Sequence, residues 1–141
     1  MKTKVPKGIL LALSLIGGAA FLMSSTEVKL QQKGAWVAPA SADATKNPLA
    51  GQADAVAAGK KIYTTFCVVC HGDKGKGDGI AAGGLNPKPA DHSSAKCQSQ
   101  SDGALFWKLT TGRPPMASYA KTLTETQRWQ VIAYMRTLAK H

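Results

Sequence analysis

The five residues from Cys67 to His71 constrain this chain more than any other part of its sequence. They read Cys-Val-Val-Cys-His, and Cys-x-x-Cys-His is the attachment pattern of c-type haem. Thiols at this spacing at the end of a helix can reach the vinyl groups on adjacent edges of one porphyrin, and the histidine that follows can turn its imidazole toward the iron. The pattern therefore predicts one covalent haem c, attached through Cys67 and Cys70 and ligated by His71.

Two other chemistries use closely spaced cysteines. A thioredoxin-like redox pair needs a βαβ context, which this sequence does not predict. A zinc site would take Cys67, Cys70, His92 and Cys97 as ligands. That site would leave His71 unused and would need reduced thiols in an oxidising compartment, so haem is the favoured interpretation.

Cys97 is the third cysteine, and it has no partner within the chain once the other two form thioether bonds. A free cysteine packs well as a small hydrophobic side chain. An odd cysteine in an exported protein can also form an intermolecular disulfide. Both interpretations stay open at the level of the sequence.

The N-terminal residues have the pattern of an export signal. Three lysines precede an apolar run from Gly8 to Met23, and Ser24-Ser25-Thr26 follows it. The run is shorter than the roughly 20 apolar residues that cross a bilayer comfortably, and a clean A-x-A cleavage site is missing. Residues 1–25 are therefore predicted to be a signal peptide or an N-terminal membrane anchor. Either places the rest of the chain in the periplasm or on the outer face of the cytoplasmic membrane.

The remaining residues divide into an arm and a domain. Residues 26–52 contain Ala-Pro-Ala-Ser-Ala-Asp-Ala and show little apolar periodicity, which indicates an extended linker or a wrapping segment. Residues 53–141 are predicted to form the folded domain. A domain of this size has a limited core of its own, so a covalent haem would form its centre.

The domain has a helical pattern. Periodic apolar positions predict helices over residues 55–67, 102–111 and about 125–139, the last with a capping box at its start. A glycine-rich loop over residues 72–101 is unusually long unless it wraps something. No strand pattern is convincing. The predicted fold is all-α, with three to five helices and long loops wrapped around one covalent haem.

Gly59 lies in the middle of the first predicted helix. Glycine at such a position costs up to about 1 kcal/mol relative to alanine, so it requires a packing reason. Close approach of another helix is the predicted one.

The sixth ligand of the iron must come from later in the chain, and the candidates are Met116, His92, His141, Met135 and water. Met135 lies mid-helix, where filling the core is the commoner role. His141 is terminal, and His92 lies in the glycine-rich loop, where a solvated side chain is expected. Met116 follows Pro114-Pro115 in a turn between two helices and is the favoured ligand. A His/Met pair raises the reduction potential of a haem.

The spacing of these residues resembles the class I monohaem cytochromes c over about residues 53–140. The resemblance is carried chiefly by Gly59-x-x-x-Tyr63-x-x-x-Cys67-x-x-Cys70-His71-Gly72, Gly75-x-Gly77-Asp78-Gly79, Gly112-Arg113-x-Pro115-Met116 and Arg128-Trp129-x-Val131-x-x-Tyr134-Met135-Arg136. Many members have Met-Pro after the loop, whereas this chain has Met116-Ala117.

The resemblance implies two packing features. The first and last helices should cross at a glycine and aromatic residues, which assigns Gly59 and Tyr63 against Trp129 or Tyr134. A proline carbonyl in the long loop, from Pro87 or Pro89, should accept the N–H of the proximal imidazole.

The function implied is one-electron transfer without catalysis, because a filled sixth position leaves no open iron site. The expected partners are a quinol-oxidising complex, a terminal oxidase, a reductase or a dehydrogenase. A fixed haem subunit of a membrane respiratory or dehydrogenase complex is the alternative, favoured by the arm and by an uncleaved anchor. A haem enzyme or gas sensor would instead need an open sixth position.

The charge of the chain agrees with this function. There are 18 Lys and Arg residues against 8 Asp and Glu, with a formal net charge of +10, and three of the lysines precede the apolar run. A moderately basic carrier suits acidic docking patches on its partners, which steer its approach. Nucleic-acid binding is not predicted, because the lysines are dispersed and no basic stripe alternates with aromatic residues.

Overall fold

The computed structural model describes residues 34–139 of the chain. Within that range, Val37 to Ala139 belong to one unit, and Gly34 to Trp36 fall outside it. The predicted signal peptide or anchor, the first part of the arm and the candidate ligand His141 lie outside the described residues. Within the described range, no helix is both long and apolar enough to cross a membrane.

Helices make up all the regular structure of the described residues. They are α1 (Ala40–Asp43), α2 (Ala53–Phe66), α3 (Val68–His71), a 3₁₀ helix (Ala82–Gly84), α4 (Ala95–Gln98), α5 (Asp102–Thr111) and α6 (Glu125–Arg136). The predicted all-α fold with long loops is confirmed. The two short helices inside the glycine-rich loop were not predicted.

The ends of the helices follow local chemistry. Helix α5 has its predicted bounds, and the Ser101 hydroxyl at its N-cap accepts a hydrogen bond from the Ala104 N–H. Helix α6 begins with the predicted capping box between Thr124 and Gln127. It ends at Arg136, earlier than predicted, because the next N–H groups bond three residues back and tighten the last turn.

Helices α2 and α6 cross in close contact at Gly59. A Cβ atom on Gly59 would lie 1.9 Å from the carbonyl oxygen of Gln130, so only glycine fits at this crossing. One turn further along α2, Tyr63 is 1% exposed and meets the ring of Tyr134 edge to face, with centroids 5.2 Å apart. The predicted crossing is confirmed, and Tyr134 rather than Trp129 is the aromatic partner of Tyr63.

A hydrophobic cluster forms the core of the described residues. Its buried members are Tyr63, Cys67, Cys97, Leu105, Leu109, Leu123, Trp129, Val131, Ile132 and Met135. The core role expected for Met135 is confirmed. Cys97 is 5% exposed in the same cluster, which supports its packing interpretation, since a buried thiol is not accessible to another chain.

The part of the predicted arm from Val37 onward lies against the domain. Helix α1 contacts α5 where a Cβ atom on Gly103 would lie 1.9 Å from the Ala42 carbonyl oxygen. The Asp43 carboxylate accepts a 2.6 Å hydrogen bond from the Ser101 hydroxyl. The buried Asn47 side chain donates to the backbone carbonyl of Trp129 at 3.1 Å.

Candidate functional site

The two cysteines and the histidine of the attachment pattern lie together at the junction of α2 and α3. Cys67 is the C-cap of α2, and its carbonyl accepts a 2.8 Å hydrogen bond from the backbone N–H of His71, so one helical turn separates these two residues. Cys67 is 7% exposed, His71 is 9% exposed and Cys70 is half-buried. None of the described cysteines forms a disulfide. Burial raises the pKa of the Cys67 thiol to about 12.

The glycine-rich loop holds the short helix α3 in place. A four-residue helix cannot persist alone, and its terminal carbonyl groups need hydrogen-bond partners. The carbonyls of α3, taken in order from Val68 to His71, accept hydrogen bonds of 2.8–3.1 Å from the N–H groups of Gly72, Ala81, Gly79 and Gly77. The loop therefore fixes the backbone that carries Cys70 and His71, a role that the sequence analysis did not identify.

Glycine is required where the loop meets α3. A Cβ atom on Gly79 would lie 2.4 Å from the Val68 carbonyl oxygen. Gly77 adopts a φ of +73°, which favours glycine, and a Cβ atom there would lie 2.4 Å from the Pro89 carbonyl oxygen. The repeated glycines of this loop are thus explained by close backbone contact.

The His71 imidazole bonds a backbone carbonyl through one nitrogen. Its Nδ1–H donates to the Ala90 carbonyl oxygen at 3.0 Å. The predicted acceptor, Pro87 or Pro89, is wrong; the Pro89 carbonyl instead lies against Gly77, and the carbonyl of the next residue takes the bond. Because a carbonyl only accepts, Nδ1 carries the proton and Nε2 keeps a lone pair. Burial lowers the pKa of His71, although the bond to Ala90 opposes that shift, and the neutral ring is the form that binds metals.

His92 lies beside His71 in the interior. Its ring is stacked on the His71 ring, with centroids 3.9 Å apart and an interplanar angle of 20°. His92 is 8% exposed, and its Nδ1 shares a 3.0 Å hydrogen bond with the Tyr63 hydroxyl. Burial, and then the proximity of His71, lower the pKa of His92 to about 3.

The expectation that His92 is a solvated loop residue is wrong. The backbone N–H of His92 donates to the Gly75 carbonyl at 2.6 Å, and this bond holds the residue against the domain. The His92 ring is therefore engaged on one face by the His71 ring and at Nδ1 by the Tyr63 hydroxyl. The zinc alternative finds no support, since no three His, Cys, Asp or Glu side chains converge into a metal-binding group among residues 34–139.

Met116 lies in a tight turn between α5 and α6. Two backbone hydrogen bonds between Arg113 and Met116, of 2.8 and 3.0 Å, close the turn. The Met116 side chain is partly buried and packs against the hydrophobic cluster that includes Cys67. Nearby, the Tyr119 hydroxyl donates to the Phe66 carbonyl at 3.0 Å, which fastens this segment beside the attachment residues.

These residues fit a covalent haem c. Two cysteines outside any disulfide lie on neighbouring helical positions, and the adjacent neutral imidazole has its Nδ1 proton engaged and its Nε2 lone pair available. In metal sites, a hydrogen bond from the nitrogen that does not bind the metal commonly orients a ligating histidine in this way. Apolar and thioether groups occupy the neighbouring turn and core.

Comparison with known proteins gives one family and several related structures. A family model described as Cytochrome c matches residues 56–139. No curated protein matches the chain. A chain of the Kuenenia stuttgartiensis reducing HAO-like protein complex Kustc0457/Kustc0458 is similar at 33% identity with a TM-score of 0.59, over 66% of this chain and 47% of that one. This chain therefore spans about half the length of that relative.

Two further solved structures are similar. The KustC0563 c-type cytochrome has 25% identity and a TM-score of 0.51, over 58% of this chain and 98% of that one. Cytochrome cL of the marine methylotroph Methylophaga aminisulfidivorans has 21% identity and a TM-score of 0.54, over 67% of this chain and 59% of that one. The last of these is a likeness of fold alone.

Proposed function

This chain belongs to the cytochrome c family, and we propose that it carries single electrons between respiratory redox partners through one haem c held at Cys67, Cys70 and His71. When bound, haem c supplies an iron that cycles between the ferric and ferrous states. Cys67 and Cys70 would hold the porphyrin through thioether bonds, and His71 would ligate the iron through Nε2. Met116 would supply the second axial ligand.

One observation carries this proposal. The Nδ1–H group of His71 donates to the Ala90 carbonyl. The glycine-rich loop also holds the backbone of His71, because the Gly77 N–H donates to the His71 carbonyl. The bond to Ala90 selects the neutral tautomer whose free nitrogen can ligate iron, and it orients the ring. A histidine placed there only to fill space would not need this arrangement.

The absence of catalysis follows from the second ligand. If Met116 completes the coordination of the iron, no position stays open for a substrate or a gas. The two-bond turn at Met116 and its packing against the core support a thioether held in one place. The protein then acts by docking, electron transfer and release.

The proposed location and domain division would bring the cytochrome domain to redox partners outside the cytoplasm. Residues 1–25 would export the chain to the periplasm or hold it at the outer face of the cytoplasmic membrane, residues 26–52 would form the arm, and residues 53–141 would form the cytochrome domain. Lysines and arginines outnumber the acidic residues even without the three lysines that precede the apolar run, which favours partners with acidic docking surfaces. We propose a quinol-oxidising complex, an oxidase, a reductase or a dehydrogenase as the partner class, and no nucleic acid.

A fixed subunit of a membrane complex is the second candidate. The similar chain at 33% identity comes from a multi-protein complex. In addition, residues after Val37 fasten the arm to the domain through Asn47 and Asp43, so an anchor at the N-terminus would hold the domain close to its attachment point.

Cell fractionation distinguishes the free carrier from the fixed subunit. We expect the haem-containing protein to leave the cells on osmotic release and to elute as a monomer in size-exclusion chromatography. Haem staining after denaturing electrophoresis identifies the chain. Retention with membranes and co-elution with other subunits would contradict the free carrier and support the second candidate.

Replacing Met116 by alanine is expected to open the sixth position of the iron. The ferric protein should lose the weak long-wavelength band of methionine ligation, and the reduced protein should bind carbon monoxide, which the wild type should not. The reduction potential should fall, because the thioether favours ferrous iron. Absorption spectroscopy and redox titration measure these changes.

Met135→Leu is the matched control. Met135 is buried in α6 within the core cluster, and a leucine of similar volume costs less than about 1.5 kcal/mol of the free energy of unfolding. Its spectrum should equal that of the wild type. Loss of the band in Met135→Leu, with the band intact in Met116→Ala, would assign the ligand to Met135 instead.

A further inference from the structure

The proposed function gives no role to the buried side chain of His92. His92 packs its imidazole flat against His71, and the proposed attachment and ligation of the haem do not use it. A polar ring that is 8% exposed is costly to place in a core unless its contacts compensate. Its surroundings therefore indicate what the ring does.

The backbone of His92 is held from both sides. Its N–H donates to the Gly75 carbonyl at 2.6 Å. Its carbonyl accepts a 2.7 Å hydrogen bond from the Gln98 side chain, which also donates to the Met135 carbonyl in α6 at 2.9 Å. The position of the residue is thus tied to the glycine-rich loop and to the last helix at once.

The ring of His92 is held as firmly as its backbone. Its Nδ1 shares a 3.0 Å hydrogen bond with the hydroxyl of Tyr63, a side chain that is itself fully buried and fixed edge to face against Tyr134. The Tyr63 and His92 rings also meet edge to face, with centroids 5.8 Å apart. The His92 ring therefore has one orientation set by α2 and α6.

The fixed His92 ring on one face of His71 restricts a rotation of the His71 imidazole that its hydrogen bond to Ala90 does not prevent. One N–H···O bond lets an imidazole pivot about the axis of that bond. With ring centroids 3.9 Å apart and planes within 20° of parallel, a pivot of His71 would drive its ring edge into His92. The stack and the hydrogen bond together leave one ring plane.

We propose that His92 is a positioning residue that fixes the plane of the His71 imidazole on the haem iron. This inference rests on the proposed function, because it requires His71 to be the axial ligand. The Tyr63 hydroxyl holds His92, and His92 holds His71. Orientation of a ligating histidine by its neighbours is a general means of tuning a metal centre.

The plane of an axial imidazole can be read spectroscopically. Together with the other iron ligand, it influences how the unpaired electron of ferric low-spin iron spreads over the porphyrin, and the proton NMR shifts of the haem methyl groups report that spread. A role of His92 in core packing alone would change stability and would leave these shifts where they are.

The test uses full-length holoprotein with the variants His92→Leu, His92→Phe and Tyr63→Phe. His92→Leu removes the stacked ring, and we expect a changed order or spread of the methyl shifts. Tyr63→Phe keeps the aromatic packing and removes the hydrogen bond to His92, and a smaller change in the same direction is expected. His92→Phe restores a flat ring and should return the shifts toward the wild-type values.

Tyr134→Phe is the matched control, because it removes a hydroxyl from the same cluster and leaves the Tyr63–His92–His71 contacts as they are. Its methyl shifts should equal those of the wild type. Methyl shifts equal to those of the wild type in His92→Leu would overturn the proposal. If His92→Leu does not mature with haem, unchanged shifts in Tyr63→Phe would overturn it instead. Shifts in Tyr134→Phe as large as those in His92→Leu would overturn it too, since they would indicate general loosening.

Failure of the proposed function would show itself separately. Wild-type protein without a haem c spectrum, or without the methionine band, contradicts the ligation on which this inference rests. Wild-type protein with both features, together with unchanged shifts in the variants, contradicts the role of His92 alone.

Discussion

Replacing both Cys67 and Cys70 by alanine is expected to abolish covalent haem. The thioether bonds can form only from these two thiols, because Cys97 is buried in the core and lies outside the attachment pattern. Haem staining after denaturing electrophoresis should be lost completely, and mass spectrometry of the intact protein should find the chain without the added mass of a haem. Each single variant should keep at most one thioether bond.

The same double variant is expected to lose most of its cooperative folding. A domain of this size has little apolar area to bury without a group at its centre. The free energy of unfolding of such a domain is on the order of 5–15 kcal/mol, so removal of a central component can exceed it. Far-UV circular dichroism during thermal unfolding would measure the loss of a sharp transition.

Cys97→Ala is the matched control for the cysteine pair. It removes the third cysteine and should keep full haem staining and a sharp unfolding transition at a lower temperature. Because the change deletes one buried sulfur atom, the expected cost is about 1 kcal/mol. Retention of covalent haem in the double variant, or its loss in Cys97→Ala, would contradict the assignment of the attachment residues.

Replacing Gly59 by alanine is expected to lower the free energy of unfolding by about 3 kcal/mol. The added Cβ atom would lie 1.9 Å from the carbonyl oxygen and 2.6 Å from the carbonyl carbon of Gln130, so the backbones of α2 and α6 must separate. Alanine favours an isolated helix over glycine by up to about 1 kcal/mol, and the overlap must exceed that gain. Denaturant unfolding of the holoprotein measures the difference.

Gly83→Ala separates crowding at the helix crossing from the general effect of a glycine substitution. Gly83 is an exposed residue of the 3₁₀ helix, its φ is outside the left-handed region, and no heavy atom would lie within 4 Å of an added Cβ. Its free energy of unfolding should change by less than about 0.5 kcal/mol. Equal stability of Gly59→Ala and the wild type would show that the α2–α6 crossing is not as close as described.

The sequence predicted the larger helices well and the loop poorly. Helix α5 and the start of α6 depend on caps and apolar periodicity, which are local signals. The glycine-rich loop has no apolar periodicity. Its conformation depends on hydrogen bonds to the carbonyls of α3, and most of these bonds do not follow the regular i to i−4 pattern of a helix. For that reason the two short helices within it and its capping of α3 were missed.

The choice of Tyr134 as the partner of Tyr63 depended on the rotation of α6. Trp129 and Tyr134 are five residues apart and point to different faces of the helix. Trp129 stacks on Phe106 of α5, with centroids 3.8 Å apart, and this contact turns Tyr134 toward α2. The sequence left both residues open because it does not specify which helix meets which face.

The sequence by itself predicted a covalent haem, because Cys67, Cys70 and His71 lie within one helical turn in the attachment pattern of haem c. It also predicted the close helix crossing at Gly59, where glycine conflicts with helix propensity. Only the tertiary structure decided how His71 is held. The carbonyl of Ala90 and the ring of His92 reach it from a loop about twenty residues away, and the direction of a loop carbonyl or a loop side chain depends on where the rest of the chain folds around it.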